Sequence, residues 1–252
     1  MKVTLLHCTD NAPALLIFSK NTRLGLSAAR FSEILRRCTT AHLYPSAHPE
    51  DAAWMEEELR YIANTIPSSW EFIDYTFIVE GVSRAYTHQQ VRTRTGSYAQ
   101  ESLRVVNKDE FDYVFPQRPL PAQARQELGW ALTAIRNTYA SLVGMGVATE
   151  DARGILPTNI ATNILVKFNL RTMAELAASR SGGRTQGEYR EVVGAMCDAV
   201  LEVHPWAEQF LFPRERDYFA EIESFAEAEF GGDLLRKGRL LKIIDAMRKR
   251  SA

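Results

Sequence analysis

One stretch decides how this sequence is interpreted: residues 88–104 read HQQVRTRTGSYAQESLR. It holds three arginines, two serines and several amides around a single glycine, Gly96. A guanidinium carries a rigid fork of donors that matches phosphate oxygens, and loop amides and hydroxyls add further donors. The same composition is also typical of a solvated polar loop. The stretch therefore indicates an anion site, such as one for a nucleotide, without deciding between the two interpretations.

A second group of polar residues lies farther along the chain. Arg153 precedes Gly-Ile-Leu-Pro157, and Asn169, Arg171 and Arg180 follow, with Gln186 and Glu188 shortly after. On a helix that begins near Arg171, the arginine at position 180 need not share its face, so the two could contact different parts of one large ligand. Surface arginines that cover apolar neighbours are the alternative interpretation.

Outward from these motifs, apolar periodicity predicts helices and alternation predicts strands. Helices are predicted at 24–38, from Pro49 to about 62, at 84–92 with Ser83 as the cap, over 124–143, at 171–180, at 186–203 and in the C-terminal segment. Strands are predicted at 3–6, 73–79 and 158–169, and residues 93–102 are predicted to form a loop. The pattern indicates an α+β fold in one domain over residues 1–252.

The bulk composition excludes several classes of protein. Of the 252 residues, 46% are hydrophobic and 24% charged, which is typical of a globular protein. The formal net charge of −1 gives no overall field that attracts nucleic acid. No apolar stretch approaches the roughly 20 residues that span a bilayer, and Asp10, Asn11 and Pro13 interrupt the apolar N-terminal run. We expect a cytoplasmic protein with neither a membrane nor a nucleic-acid partner.

The cysteines and histidines indicate no metal site. Cys8, Cys38 and Cys197 are odd in number and scattered, which fits a reducing compartment and argues against a usual zinc site. Cys38 and Cys197 fall on apolar helical faces, which predicts that they pack in the core. The histidines outside the opening stretch show no metal-ligand spacing, and His204 is predicted to precede a helix entry.

The two polar groups together resemble the flavin-dependent thymidylate synthase family, ThyX. Arg92-Thr-Arg94, followed seven residues on by Ser102, is similar to the family signature Arg-His-Arg, seven residues, Ser. Further motifs match between residues 28 and 212: Ala28-Ala-Arg-Phe-Ser32, Trp70-Glu71 with Tyr75-Thr-Phe77, Ala152-Arg153-Gly-Ile-Leu-Pro157, and Asn169-Leu-Arg171 with Arg180. One such motif is moderately specific, whereas five in the family's order are a specific match.

The resemblance implies a fold, a reaction and an assembly. The fold would be a single ThyX-like α+β domain with a mixed sheet and long helices, and the active sites would lie between the subunits of a homotetramer. The enzyme would be a methyltransferase that methylates C5 of a uridylate, dUMP or UMP. Methylenetetrahydrofolate would supply the carbon and NADPH-reduced FAD the hydride, without a metal or a cysteine nucleophile.

Individual roles follow from the matched positions. FAD would be bound by Ser68, Arg92, Thr93, Arg94, Gln100, Asn169, Leu170, Arg171 and Glu175. The nucleotide would be bound by Gln89, Gln90, Arg92, Gln100, Glu101, Ser102, Leu103, Arg104, Arg153 and Arg180. Arg180 would be catalytic, because a fixed guanidinium beside N3 and a carbonyl oxygen stabilises the anionic uracil ring and makes C5 more nucleophilic.

Three positions depart from the family pattern. Thr93 stands in place of the signature histidine, Val105 in place of a common tyrosine and Phe72 in place of a common histidine. A threonine lacks the ring that can stack on a flavin. The departures leave open a branch of polyoxin-type nucleoside-antibiotic pathways that accepts UMP as well as dUMP, a hydroxymethylating relative for modified nucleotides, and a flavin- or nucleotide-binding protein that has lost catalysis. The retained arginines favour catalysis, since drift would erode so costly a cluster of like charges.

A nucleic-acid binder is a further alternative that depends on the basic C-terminal segment. Its cations are Arg236, Lys237, Arg239, Lys242, Arg248, Lys249 and Arg250. Apolar residues alternate with these cations, which favours an amphipathic helix with a solvated basic face over a surface for nucleic acid.

Overall fold

The computed structural model describes residues 1–21, 25–103, 111–116, 118–180, 182, 185–213, 218–230 and 232–251. The chain divides into two compact units, Met1–Pro213 and Arg214–Ala252. Both groups of polar residues lie in the first unit. The single domain over residues 1–252 stays a prediction.

The first unit interleaves strands with helices. Its described strands are β1 (Lys2–Cys8), β2 (Asp74–Ser83), β3 (Ser97–Gln100) and β4 (Ala161–Asn169). Its described α-helices are α1 (Ala12–Lys20), α2 (Ala28–Leu43), α3 (Pro49–Thr65), α4 (Arg84–Gln90), α5 (Ala122–Gly144), α6 (Thr149–Ala152), α7 (Leu170–Arg180), α8 (Gly187–Val203) and α9 (Glu208–Leu211). Short 3-10 helices span Pro67–Phe72, Arg153–Ile155 and Pro205–Ala207.

The strands form an antiparallel sheet in the order β1-β2-β4-β3. In the central pair, Phe77 lies opposite Val166 and Val79 opposite Ile164. These four side chains are fully buried, and their neighbours along each strand are more exposed, so the two-residue period turns one face of the sheet to the core.

The sheet also determines where the two polar groups meet. Strand β2 runs directly into α4, and β4 runs directly into α7. Because β2 and β4 are antiparallel, α4 and α7 begin at opposite ends of the sheet. A hydrogen bond of 3.0 Å joins the Thr172 and Thr95 hydroxyls, so the start of α7 lies against the stretch that follows α4.

The main core lies between the sheet and the helices. Helix α8 packs against β1 and β2, and α7 packs against β4. Met173 of α7 and Val192 and Met196 of α8 are fully buried there. Burial of each such side chain stabilises the fold by about 1.5–3 kcal/mol.

A smaller apolar cluster holds the end of the opening stretch in place. It joins Leu103 to Phe111, Tyr139 of α5, Ala152 of α6 and Ile160. Leu103 therefore has a packing role, and the segment around it is held close to the second polar group.

Most sequence predictions for the fold are confirmed. The α+β class is correct, α3 begins at Pro49, and the Ser83 hydroxyl caps α4 by accepting a hydrogen bond from the Tyr86 N–H at 3.0 Å. The prediction of a mixed sheet is wrong for the described strands, whose pairings are all antiparallel. Alternating residues indicate which face is buried, but they carry no information on the direction of the neighbouring strand.

Residues 93–102 are not wholly a loop, because Ser97–Gln100 forms β3 at the edge of the sheet. Only Tyr98 and Gln100 turn inward along this strand. Two inward positions are too few to produce a recognisable period.

Two helix starts also differ from the predictions. Helix α2 begins at Ala28 rather than at 24, because Gly25 has a φ of +83° and Ser27 acts as the N-cap. Helix α1 has no counterpart among the predictions. Its Pro13 interrupts an apolar run in the sequence, yet proline is well tolerated in the first turn of a helix.

The second unit consists, in its described part, of α10 (Tyr218–Phe230) and α11 (Leu234–Ser251). Lys237 forms an ion pair with Glu227. Helix α11 confirms the helix predicted for the C-terminal segment. No described helix in either unit is both long and apolar enough to cross a membrane.

Candidate functional site

Helix α4 is anchored at its start by a buried carboxylate. Glu188, in the first turn of α8, accepts hydrogen bonds from the Ser83 N–H at 2.7 Å and from the Ser83 hydroxyl at 2.5 Å. Only 7% of Glu188 is exposed. In the sequence, Glu188 stands out only as a member of the second polar group, and its signal is slight because an acidic residue in the first turn of a helix is common. The contact fixes α4 relative to α8.

The end of α4 is held by tyrosines. The Tyr86 hydroxyl donates to Gln90 Oε1 at 3.0 Å. The Tyr98 hydroxyl lies 3.0 Å from the Gln90 carbonyl and 2.6 Å from the Thr93 carbonyl. Burial raises the pKa of both tyrosines, so both stay protonated donors. Gln90 is fully buried, and its Nε2 has no partner among the described residues.

The turn between α4 and β3 depends on Gly96. Its N–H donates to the Thr93 carbonyl at 3.1 Å. A Cβ at position 96 would lie 2.4 Å from a ring carbon of Phe168 and 2.6 Å from the Tyr98 hydroxyl. Arg92 and Arg94 flank Thr93 with exposed side chains, and no described carboxylate pairs with either. The closely packed backbone of the turn therefore exposes the guanidinium groups of Arg92 and Arg94.

Strand β3 carries the next predicted residues to the edge of β4. Gln100 Nε2 donates to the Thr87 hydroxyl at 3.0 Å and lies 3.3 Å from the Thr162 hydroxyl. The Glu101 carboxylate accepts from Asn163 Nδ2 at 3.1 Å. Ser102 is exposed and Leu103 buried. Arg104, predicted to bind the nucleotide, lies outside the described residues, as does Val105.

A cavity of about 370 Å³ brings the two polar groups together. Arg84 lines it from the start of α4, His88 and Leu103 line it from the first group, and Arg153 and Pro157 line it from the second. From the sequence, Arg84 is predicted only as the first residue of the helix at 84–92. The structure shows its guanidinium donating to the Glu101 carbonyl at 2.9 Å.

The two arginines of this cavity repel each other. Burial lowers the pKa of Arg84, and the positive charge of Arg153 lowers it further, against an opposing effect of Glu101. Arg84 Nε is buried without a partner among the described atoms. Arg153 Nε donates to the Glu150 carbonyl at 3.0 Å. A pair of guanidinium groups on one cavity is suited to an anion, which would relieve the repulsion.

The start of α7 collects several residues predicted to bind FAD. The Asn169 side chain caps the helix by accepting from the Thr172 N–H at 2.8 Å, and Leu170 is fully buried. Arg171 pairs with Glu71 at 2.7 Å and with Glu175 at 3.3 Å, and the hydrogen bond to Glu71 raises its pKa.

Ser68 lies close to the start of α7 only because it shares a short 3-10 helix with Glu71. It is exposed on the 3-10 helix Pro67–Phe72, which also carries Glu71. Within the described ranges, no residue forms a hydrogen bond with its side chain. The structure therefore brings Glu71 to Arg171 and leaves Ser68 at the surface beside them.

Arg180, at the end of α7, lies in different surroundings from Arg171. Its guanidinium carbon is 4.9 Å from the centre of the Tyr189 ring, and its Nε is buried without a described partner. Tyr189 in turn makes an edge contact with Tyr86, with ring centres 5.4 Å apart. The end of α7 therefore returns to the start of α4, so Arg171 and Arg180 serve different parts of the region.

A larger cleft, of about 740 Å³, lies beside this arrangement. Ser83, Gln186 and Glu188 line it, together with Arg118 and Arg190. Gln89, predicted to bind the nucleotide, donates from Nε2 to Gln186 Oε1 at 2.5 Å and so joins α4 to the start of α8.

One group of side chains has the composition of a metal site. Ligand atoms of His48, Glu50 and Asp51 lie within 4.8 Å of one another. The Asp51 carboxylate, however, accepts a hydrogen bond from Arg37 Nε at 2.6 Å. This ion pair accounts for Asp51 without a metal.

The cysteines take no part in the region. Cys38 and Cys197 are buried, as predicted, and burial raises the pKa of both thiols to about 12. Burial and the nearby Asp10 also raise the pKa of Cys8. None of the three is therefore suited to act as a thiolate at neutral pH.

Comparison with known proteins gives a consistent result. The model of the family described as "Thymidylate synthase complementing protein" matches residues 22–206. The chain is 36% identical over 163 residues to the flavin-dependent thymidylate synthase of Nitratidesulfovibrio vulgaris, a match covering 60% of this chain and 66% of the relative. It is 35% identical over 140 residues to that of Sulfurisphaera tokodaii, a match covering 55% and 54%. The chain thus spans between about half and two thirds of the length of these relatives.

A solved structure extends the likeness to the fold. The crystal structure of flavin-dependent thymidylate synthase ThyX from Helicobacter pylori, complexed with FAD and dUMP, superposes with a TM-score of 0.59. The superposition covers 84% of this chain and 98% of that one at 19% identity. At that identity the likeness shows the fold alone.

Proposed function

The chain belongs to the family of thymidylate synthase complementing proteins, and we propose that it is a flavin-dependent methylase of a uridylate. In the proposed reaction the substrate is dUMP or UMP, and the product carries a methyl group on C5. FAD, reduced by NADPH, would supply the hydride, and methylenetetrahydrofolate would supply the carbon.

One observation carries the proposal: the cavity where Arg84 and His88 meet Arg153. His88 and Arg153 come from the two different polar groups, which are far apart in the sequence. Arg84 has a buried Nε without a described partner, and the two guanidinium groups repel each other. A phosphate oxygen would satisfy the unpaired donor and neutralise the repulsion. The cavity therefore suits the phosphate of a nucleotide.

The residues predicted to bind FAD fit an anionic dinucleotide. Arg92 and Arg94 are exposed cations without a carboxylate partner among the described residues, and they lie in a closely packed turn. The Thr95–Thr172 hydrogen bond holds this turn against the start of α7, where Asn169 and Leu170 lie. Arg171 is engaged by Glu71 and Glu175, so it would contribute less charge than its neighbours.

Arg180 would act on the uracil ring. A guanidinium that is fixed before the reaction and has no counter-ion among the described residues stabilises developing negative charge at N3 and a carbonyl oxygen. That stabilisation favours the anionic ring and makes C5 more nucleophilic. The raised pKa of each cysteine thiol agrees with a reaction that needs no thiolate nucleophile.

The proposal includes an assembly and a location. We place the enzyme in the cytoplasm as a homotetramer with sites between subunits, where Gln89, Gln90 and Arg92 of one subunit bind the nucleotide together with residues of another. The exposure of Arg92 and Arg94 supports this arrangement, since neither meets an acceptor within the described chain.

Thr93 supports a second candidate, a flavin- or nucleotide-binding protein without methylase activity. Its side chain is partly buried, and a threonine there cannot stack on a flavin as a histidine can. The same substitution is compatible with a methylase of polyoxin-type antibiotic pathways that accepts UMP, or with a relative that adds a hydroxymethyl group.

One experiment separates these candidates. The purified protein, supplied with FAD, NADPH and methylenetetrahydrofolate, is incubated with dUMP or with UMP, and the nucleotide product is identified by mass spectrometry. A C5-methylated product establishes the methylase, and the preferred nucleotide identifies the branch. Tight uridylate binding without any product would favour the inactive binding protein, whereas a hydroxymethylated product would identify the third alternative.

A further inference from the structure

Tyr189 contacts the proposed catalytic arginine in an unusual way. The guanidinium carbon of Arg180 lies 4.9 Å from the centre of the Tyr189 ring, within the range of a cation–π contact. Tyr189 is fully buried in the first turns of α8, and its edge contact with Tyr86 holds the ring from the side of α4. The ring is therefore a fixed surface against which the Arg180 side chain rests.

Arg180 has no other described anchor. Its Nε is buried without a partner, and no described carboxylate forms an ion pair with it. Glu188, which precedes Tyr189 on α8, is occupied by the Ser83 N–H and hydroxyl. The terminal nitrogens of Arg180 are not among the buried unpartnered atoms, so they remain accessible to a ligand.

We infer that Tyr189 is a positioning residue that holds the Arg180 guanidinium against its ring and leaves the terminal nitrogens free for the uracil. The inference rests on the proposed function and names a determinant of that same site. A carboxylate at this place would fix the arginine equally well, but it would bind the same N–H donors and offset the charge. An aromatic face attracts the cation through its quadrupole and accepts none of the terminal N–H groups.

The ring rather than the hydroxyl carries this role. The Tyr189 hydroxyl is buried and has no hydrogen-bond partner among the described residues. Removing an unpartnered hydroxyl costs no hydrogen bond and relieves a desolvated polar group. Tyr189→Phe is therefore a matched control that keeps the ring, and Tyr189→Leu removes the ring while keeping an apolar side chain.

The first test measures uridylate binding by calorimetry and steady-state kinetics on the FAD-loaded protein. Loss of a desolvated cation–π contact predicts that Tyr189→Leu binds dUMP about 3- to 30-fold more weakly, with kcat/KM lowered by at least that factor. Tyr189→Phe should match the wild type. In an Arg180→Ala background, Tyr189→Leu should produce no further change, because its effect acts through Arg180.

A second series avoids the loss of packing that leucine causes. Phenylalanine analogues with increasing numbers of ring fluorines at position 189 weaken the quadrupole and change the shape little. The inference predicts that the logarithm of the dUMP dissociation constant rises steadily with fluorine number, while thermal stability stays nearly constant.

The possible outcomes distinguish a failure of this inference from a failure of the proposed function. If the wild type binds dUMP or UMP but the fluorine series is flat, or if Tyr189→Leu and Arg180→Ala are additive, Tyr189 has only a packing role. If the wild type binds neither nucleotide, the proposed function fails, and the inference fails with it.

Discussion

Among the described arginines that rest on aromatic rings, Arg37 and Arg180 differ in what else they touch. Arg37 of α2 lies 3.8 Å from the centre of the Trp54 ring and also donates to the Asp51 carboxylate at 2.6 Å. Arg180 of α7 lies 4.9 Å from the centre of the Tyr189 ring, with no described carboxylate to complete its hydrogen bonds. Arg37 ties α2 to α3, whereas Arg180 remains open to a ligand.

The difference distinguishes a structural arginine from a functional one. Burying a charged group costs the least free energy when its hydrogen-bond donors have partners, as the Arg37 Nε does. Arg84 and Arg180 depart from that rule, since each has a buried Nε without a described partner. An unpartnered guanidinium donor on a residue that lines a cavity, as Arg84 does, indicates that an anionic ligand completes it.

The largest expected effect comes from Arg180→Ala. Loss of a preorganised donor that stabilises developing charge should lower kcat/KM for the uridylate by about 10²–10³. Thermal stability should change little, because no described ion pair is lost. Steady-state kinetics and a melting curve on the same preparation measure both. A variant that melts far below the wild type would make Arg180 a structural residue like Arg37.

Arg37→Ala is the converse variant. It leaves the Asp51 carboxylate, which is mostly buried, without its partner, and should lower the free energy of unfolding by about 1–3 kcal/mol. Uridylate binding by the folded protein should be unchanged. Urea denaturation followed by circular dichroism measures the first quantity, and calorimetry measures the second. A loss of binding without a loss of stability would reverse the assigned roles.

Gly96→Ala tests the packing of the turn that carries Arg92 and Arg94. The new Cβ would meet Phe168 at 2.4 Å, so we expect a loss of about 1–3 kcal/mol from overpacking, together with weaker flavin binding. Gly129→Ala is the matched control, because nothing lies within 4 Å of a Cβ at that position of α5. The control should be neutral or slightly stabilising. Equal stability of the two variants would contradict the close packing of the turn.

The smallest effect concerns His204, whose side chain, like that of Arg37, has a hydrogen-bond partner. Its Nδ1 lies 3.1 Å from the Tyr75 hydroxyl, and burial, with His42 nearby, lowers its pKa below 6.5. The unfolded chain therefore binds a proton before the folded chain does. The stability that this group contributes is complete above pH 6.5 and is lost as the pH falls through the folded pKa.

A melting series checks this prediction. Between pH 7.5 and 5.5 the contribution of His204 should lower the melting temperature by about 1–3 °C, and His204→Gln should remove that part of the fall. An identical pH dependence in the variant would show that other groups cause it.

The sequence predicts the repeating elements of this fold better than its irregular ones. Helices α3, α7 and α8 and strands β2 and β4 are long enough to show a period. Strand β3 offers only two inward side chains, and its pairing with β4 depends on contacts distant in sequence. Strand direction is likewise a property of the assembled sheet.

The site follows the same division. Residue type and spacing are sufficient to select Arg92, Arg153 and Arg180 as candidates. They cannot show that Arg84 shares a cavity with Arg153, because that cavity forms between segments that are far apart in the sequence. Nor can they predict the Tyr189 contact or the Glu188 anchor, since a tyrosine or a glutamate on a helix is ordinary until its neighbours are known.

The central claim is that Arg84, Arg153 and Arg180 serve the methylation of a uridylate. One measurement tests it most directly. The FAD-loaded protein is given NADPH, methylenetetrahydrofolate and dUMP or UMP, and the nucleotide is analysed by mass spectrometry, with Arg180→Ala and Arg37→Ala in parallel. We expect a C5-methylated nucleotide from the wild type and from Arg37→Ala, and a large loss of product from Arg180→Ala. A flavin-loaded wild type that methylates neither nucleotide would contradict the account.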